Sequence, residues 1–122
     1  TERGLAGISD ANLERWFTKE FRERAPRTMQ RIRDMFVATP LKGYIACVEA
    51  IRDMDLREAL PKIKAPTLVI AGSRDPATTV PMAEAICAGI PNAKLAVLDA
   101  AHLSNIEQPQ QFTDAVLDFL LD

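Results

Sequence analysis

The stretch Thr67–Pro81, TLVIAGSRDPATTVP, decides how the rest of the chain is read. With Pro66 before it, its first part is a continuous apolar run containing β-branched residues and closed by Gly72. Such a run suits a strand buried on both faces, as in a parallel sheet, better than a strand with one wet face. Gly72 ends the strand, and Asp75 stands in the polar turn that follows. A helix is predicted from about Val80, with Thr79 as its N-cap and Pro81 in its first turn.

Toward the C-terminus the pattern continues. Ala83, Ile86, Cys87 and Ile90 form the inner stripe of that helix, and IPNA (90–93) ends it. KLAVLDA (94–100) reads as a second strand. After AHLSNIEQP (101–109), Phe112, Ala115, Val116, Phe119 and Leu120 share one face of a last helix.

Toward the N-terminus the chain divides near Pro61–Pro66, and what precedes reads as helices. Ser9 or Asp10 can cap the first, with Leu13, Trp16, Phe17 and Phe21 on one face. The second carries Met29, Ile32 and Phe36 and stops at Pro40. The third carries Tyr44, Val48 and Ile51 as a stripe, with Cys47 beside it. DMDLREAL (53–60) is a turn into a short helical piece. A terminal Thr1 can in principle be a nucleophile, but it needs a sheet around it, and TERGLAGISD reads as a loop entering a helix.

Helices followed by strand–helix–strand–helix give an α/β class, with a right-handed parallel crossover. Two parallel strands do not make an independently stable sheet, because both outer edges offer unpaired N–H and C=O groups. The expectation is therefore one end of a larger α/β domain. Either another polypeptide supplies the remaining strands or the chain associates with itself through the open edge.

Composition narrows the function classes. The 122 residues fit one ordinary domain, and 48% apolar with 26% charged residues is globular usage. A net charge of −2 without a basic run gives no electrostatic support for nucleic-acid binding. No apolar stretch approaches the ~20 residues of a membrane span, and no charged-then-apolar signal segment is expected in the opening residues. Cys47 and Cys87 form no CxxC and are expected to be reduced core thiols of a cytoplasmic protein. With one histidine and scattered thiols, a structural zinc site is not expected.

The chemistry gathers at the strand ends. In open α/β sheets, functional groups collect in loops at the carboxyl ends of the strands. The first strand is followed by GSRD, which carries Asp75, and the second by DAAH, which carries His102. Adjacent parallel strands put both loops at one end. A carboxylate at one ring nitrogen fixes the imidazole tautomer and stabilises the imidazolium, leaving the other nitrogen to take a proton. The alternative stands beside it: RDP suits a plain turn, and a lone histidine is often structural. Asp99 is expected to end its strand, and Asp53, Asp55 and Glu107 to be turn or surface groups. No G-x-S-x-G elbow occurs, and Ser9, Ser73 and Ser104 lack the strand–elbow–helix context.

Residues 66–120 resemble the C-terminal part of α/β-hydrolases. Upstream, WFTKEFRERAP (16–26) and ATPLKGYIACVEAIRDMDLREALPKIKAPTLVIAG (38–72), with DAAHLSNIEQP (99–109), look like the 3-oxoadipate enol-lactonase group. The resemblance implies a helical cap over residues 1–60 and a βαβα segment of the hydrolase core over 61–122. It implies that Asp75 is the triad acid and His102 the triad base, and that the nucleophilic serine comes from the half of the fold this sequence lacks. Trp16 is a candidate for lining the substrate pocket, or equally a core aromatic. The implied substrate is a small lactone carrying a carboxylate, for which Arg31, Arg33 and Arg52 are possible holders, and no metal or organic cofactor is called for. Another ester, a haloperoxidase-like reaction or a non-catalytic interaction module are the competing readings.

Overall fold

The structure, a computed structural model, describes residues 4–121. Thr1, weighed above as a nucleophile, lies outside the described residues. The helices are α1 (Ser9–Trp16), α2 (Lys19–Arg24), α3 (Pro26–Val37), α4 (Leu41–Asp53), α5 (Val80–Gly89), α6 (Ser104–Glu107) and α7 (Pro109–Leu121). Two strands, β1 (Leu68–Gly72) and β2 (Lys94–Leu98), flank α5, and 3₁₀ turns cover Gly4–Ile8 and Arg57–Lys62. Among the described residues no helix is long and apolar enough to cross a membrane. The chain forms two compact units, one of the residues up to Glu14 with Lys19–Asp55, the other of Arg15–Thr18 with the residues from Leu56 onward.

In the first unit, α3 packs on α2 and on the Gly4–Ile8 turn. Pro26 opens α3 at its first turn, where a missing N–H costs nothing. Leu5, Leu13, Phe21 and Phe36 are buried, and the Tyr44 ring meets Phe36 edge-on at 5.5 Å. The helix expected to run through Phe21 instead breaks at Phe17 and Thr18 and restarts at Lys19. The helix α4 forms as expected, but its stripe is not a core: Ile45, Val48 and Ile51 are exposed, and none of its residues is buried. Cys47 is exposed with them, which corrects the expectation of a core thiol. A stripe is buried only where another element covers it.

In the second unit, β1 and β2 pair in parallel from Leu68 opposite Lys94 to Gly72 opposite Leu98. Helix α5 packs on both strands and α7 on β2. Ala71, Ala83, Ile90, Leu98, Ala100, Ala101 and Phe17 are buried. Leu68, Val69 and Ile70 are only half-buried, short of the two-sided burial their sequence suits, because the sheet has two strands. Helix α7 likewise buries none of its residues completely. Cys87 is half-buried and its thiol lies 3.4 Å from the carbonyl of Ala93. Thr79 occupies the N-cap position of α5 with extended backbone, but its side chain makes no capping bond, unlike the expectation.

Candidate active site

The parallel register fixes the placement. Because Gly72 lies opposite Leu98, both strands release their chains at the same end. The two loops then stay zipped beyond the sheet. The Ser73 amide donates to the Leu98 carbonyl at 2.8 Å, and the Arg74 amide to Ala100 at 3.0 Å. Gly72 is required for this approach, since a Cβ there would collide with the carbonyl oxygens of Ala100 and Ala101. Outside, Arg74 pairs with Asp99 at 3.1 Å, so Asp99 faces the arginine and not the histidine.

Asp75 and His102, 27 positions apart, meet at the loop tips with Oδ2 and Nδ1 2.7 Å apart. The Asp75 side chain is 3% exposed and that of His102 is 38% exposed. The carboxylate is saturated with donors. Its Oδ1 accepts the Ala77 amide at 2.8 Å and the Thr78 amide at 3.0 Å. Its Oδ2 accepts the Thr78 hydroxyl at 2.6 Å. Burial pushes the Asp75 carboxyl upward, but the bonds from the Thr78 hydroxyl, His102 and the two amides outweigh it and hold the group below its ordinary range. The turn-forming and histidine-facing roles weighed above therefore coexist, one mainly on each oxygen.

The same contacts assign the ring tautomer. An ionised carboxylate only accepts, so Nδ1 at 2.7 Å must carry the proton. The Thr78 hydroxyl has one proton and spends it on Oδ2; its oxygen, 3.0 Å from Nδ1, is a second acceptor for the ring N–H. In the neutral ring Nε2 is left with its lone pair, on a side chain partly open to solvent. This is the geometry of a base that can take a hydroxyl proton while a fixed anion stabilises the resulting imidazolium.

The sequence reading makes Glu107 a turn or surface group, and the structure corrects it. Far from being a surface group, it is 3% exposed. Its Oε2 accepts the Ala101 amide at 3.1 Å and the Thr18 amide at 3.3 Å, and its Oε1 accepts the Thr18 hydroxyl. An unpaired buried carboxylate is very costly, and three donors offset that cost here. These bonds also account for the break after α1, because Thr18 gives its amide and hydroxyl to Glu107 instead of a helical ladder. The available signal was Ser104-Asn105-Ile106-Glu107, an S-x-x-E pattern that marks a glutamate folding back on its own backbone. Here it reaches farther, to Ala101 and Thr18.

Trp16 is half-buried, and its carbonyl accepts the Leu103 amide at 3.0 Å, so its backbone is bound beside His102. Of the arginines, Arg33 pairs with Asp10. Arg52 grips Asp53 through Nε and Nη2, both at 2.7 Å. Arg31 is exposed. Among the described residues, no group of three or more His, Cys, Asp or Glu side chains is placed to hold a metal ion.

No protein-family model matches the chain. It is 41% identical over 115 residues to 3-oxoadipate enol-lactonase 2 of Acinetobacter baylyi, across 94% of this chain and 43% of that protein. Its structure superposes on the enol-lactonase from Burkholderia xenovorans LB400 with a TM-score of 0.95 and 44% identity, covering 98% of this chain and 46% of that one. An esterase from Exiguobacterium antarcticum follows at TM-score 0.88 and 25% identity, with 99% of this chain and 44% of that one covered. The chain thus spans less than half the length of each of these relatives. Two parallel strands with their helices, similar over nearly their whole length to enol-lactonases, make this chain a partial α/β-hydrolase, a member of that superfamily.

Proposed function

We propose that this chain supplies the acid and base of a Ser–Asp–His hydrolase that opens a lactone, with 3-oxoadipate enol-lactone as substrate. The observation that carries the reading is the 2.7 Å contact of Asp75 Oδ2 with His102 Nδ1, which leaves Nε2 as the base. Similarity to two A. baylyi enol-lactonases, at 41% and 38% identity, supports the substrate class. The serine and the oxyanion donors come from the complementary half of the fold, either continuous with these residues or a separate chain, and residues 1–60 serve as the cap. The setting is the β-ketoadipate route of aromatic degradation in the cytoplasm.

In this mechanism Nε2 of His102 takes the serine proton as Oγ attacks the lactone carbonyl, and Asp75 stabilises the imidazolium. Collapse of the tetrahedral adduct breaks the ring C–O bond, and the imidazolium returns its proton to the departing enolate oxygen. The enol then ketonises. Water attacks the acyl-enzyme with His102 again as base, releasing 3-oxoadipate and the free serine.

The test is reconstitution. The 122-residue chain alone is expected to show no hydrolysis of enol-lactone, and addition of the matching N-terminal half to restore it. Turnover by the lone chain that disappears in His102→Ala would refute the division of labour. The esterase of E. antarcticum favours a second reading, a simple carboxylic ester as substrate. Comparing kcat/KM of the complete enzyme on enol-lactone and on simple alkyl esters decides between them.

A further inference from the structure

His102 is held from both sides by its own backbone neighbours. The amide of Ala101 donates to Glu107 at 3.1 Å, and the amide of Leu103 donates to the Trp16 carbonyl at 3.0 Å. Both clamps end on one short segment. Glu107 also binds the amide and hydroxyl of Thr18, two residues from Trp16. Ala101 and Glu107 are 2% and 3% exposed, so these bonds lie away from competing water. Asp75, by contrast, bonds the imidazole itself and its own turn, whereas these clamps act on the backbone that carries the ring.

We propose that Glu107 is the positioning residue for His102: its carboxylate cross-links the loop in front of the imidazole to Thr18, while Trp16 holds the loop behind it. The proposal rests on the reading of His102 as the base. The segment 16–18 is then part of the catalytic frame and not merely a link between helices. A ring displaced by about 1 Å costs on the order of 10²-fold in rate, so a buried three-donor cross-link one residue away is a means of keeping Nε2 on the serine.

The test uses the complete enzyme, with rates normalised to titrated active centres. Glu107→Leu keeps volume but removes every acceptor. It is expected to lower kcat about 10²-fold with KM changed less than about threefold. Glu107→Gln is expected to recover to within about fivefold, because its carbonyl can accept both amides and its NH₂ can donate to the Thr18 oxygen. His102 is the only histidine among these residues. With ¹⁵N confined to this segment, its Nδ1 proton signal should broaden or vanish in Glu107→Leu and persist in Glu107→Gln. If Glu107→Leu does not fold, Thr18→Val, which removes only one of the three donors, should give a loss of several-fold in kcat. Wild-type kcat with an unchanged Nδ1 signal in Glu107→Leu, or in Thr18→Val where that is the variant measured, overturns the proposal. Full turnover in His102→Ala overturns instead the reading of His102 as base, so the two failures are distinct.

Discussion

Thr78 holds Asp75 at both ends of its carboxylate, with its amide on Oδ1 at 3.0 Å and its hydroxyl on Oδ2 at 2.6 Å. The same hydroxyl oxygen lies 3.0 Å from Nδ1 of His102, so one threonine touches both members of the pair. Hydrogen bonds to charged groups contribute about 1.5–3 kcal/mol each. Thr78→Val keeps the shape and the amide contact but removes the hydroxyl. In the complete enzyme it should cost roughly tenfold in kcat, the lower end of that range, because the amides of Ala77 and Thr78 still orient the carboxylate. Steady-state kinetics at neutral pH checks this; an unchanged kcat assigns the hydroxyl to the turn alone.

Asp75→Asn should be far more damaging than Thr78→Val. An amide in that place can turn its NH₂ toward Nδ1 and impose the opposite tautomer, putting the proton on Nε2, where the base is needed. The expected loss is on the order of 10⁴-fold in kcat, with assembly of the enzyme unaffected. His102→Ala should lose at least as much. Equal losses of rate and of assembly in Asp75→Asn, measured by size-exclusion chromatography beside the kinetics, would make the pair structural.

The lowered pKa of Asp75 also sets a sign for stability. Its ordinary value is 3.8, and the surrounding donors hold it lower in the folded protein despite burial. The unfolded chain therefore binds this proton first as pH falls. The stabilisation is complete above the ordinary value and is lost as pH drops through the folded value. Urea unfolding as a function of pH should show the wild-type curve falling more steeply below about pH 4 than that of Asp75→Asn.

Local pattern made the strand ends legible and left the long-range contacts hidden. Gly72, Asp75 and His102 could be read because a strand, a turn and a parallel crossover place them by rules that span a few residues each. Glu107 could not, since its partners Thr18 and Ala101 are joined to it only by tertiary folding. A charged side chain reads as surface, and the local Ser104-x-x-Glu107 pattern points to bonds with nearby backbone, not to Thr18. The exposure of α4 and α7 was misread for a related reason. Periodicity in Val48 and Ile51 reports that a face is meant to be covered, not that this chain covers it.

Gly72→Ala tests the approach of the two loops directly. The added methyl meets the carbonyl oxygens of Ala100 and Ala101, which are backbone and cannot rotate away. Overpacking of this kind costs about 1–3 kcal/mol. The displacement falls on the loop that carries His102, so activity should decline beyond the loss of folded enzyme. Thermal unfolding and active-centre titration of the variant separate the two effects. Wild-type stability would mean that the loops part freely and the zipper of Ser73 and Arg74 is dispensable.

The uncovered apolar faces predict how the 122-residue chain behaves by itself. In the second unit Val97, Leu117 and Leu120 are 47%, 47% and 69% exposed, and β1 has a strand partner only on its β2 side among the described residues. In the first unit Ile45, Val48 and Ile51 are 46%, 45% and 65% exposed. Exposed apolar side chains of this kind and an open strand edge both favour association. The lone chain should therefore bind a hydrophobic dye strongly and elute larger than its 13.5 kDa. The matching N-terminal half should suppress the dye signal and yield a defined species in the same titration that restores hydrolysis, because one event covers the apolar faces and delivers the serine. A lone chain that elutes as a monomer, binds no dye and unfolds cooperatively would show that these faces need no cover, and would remove the physical reason for a complementary half.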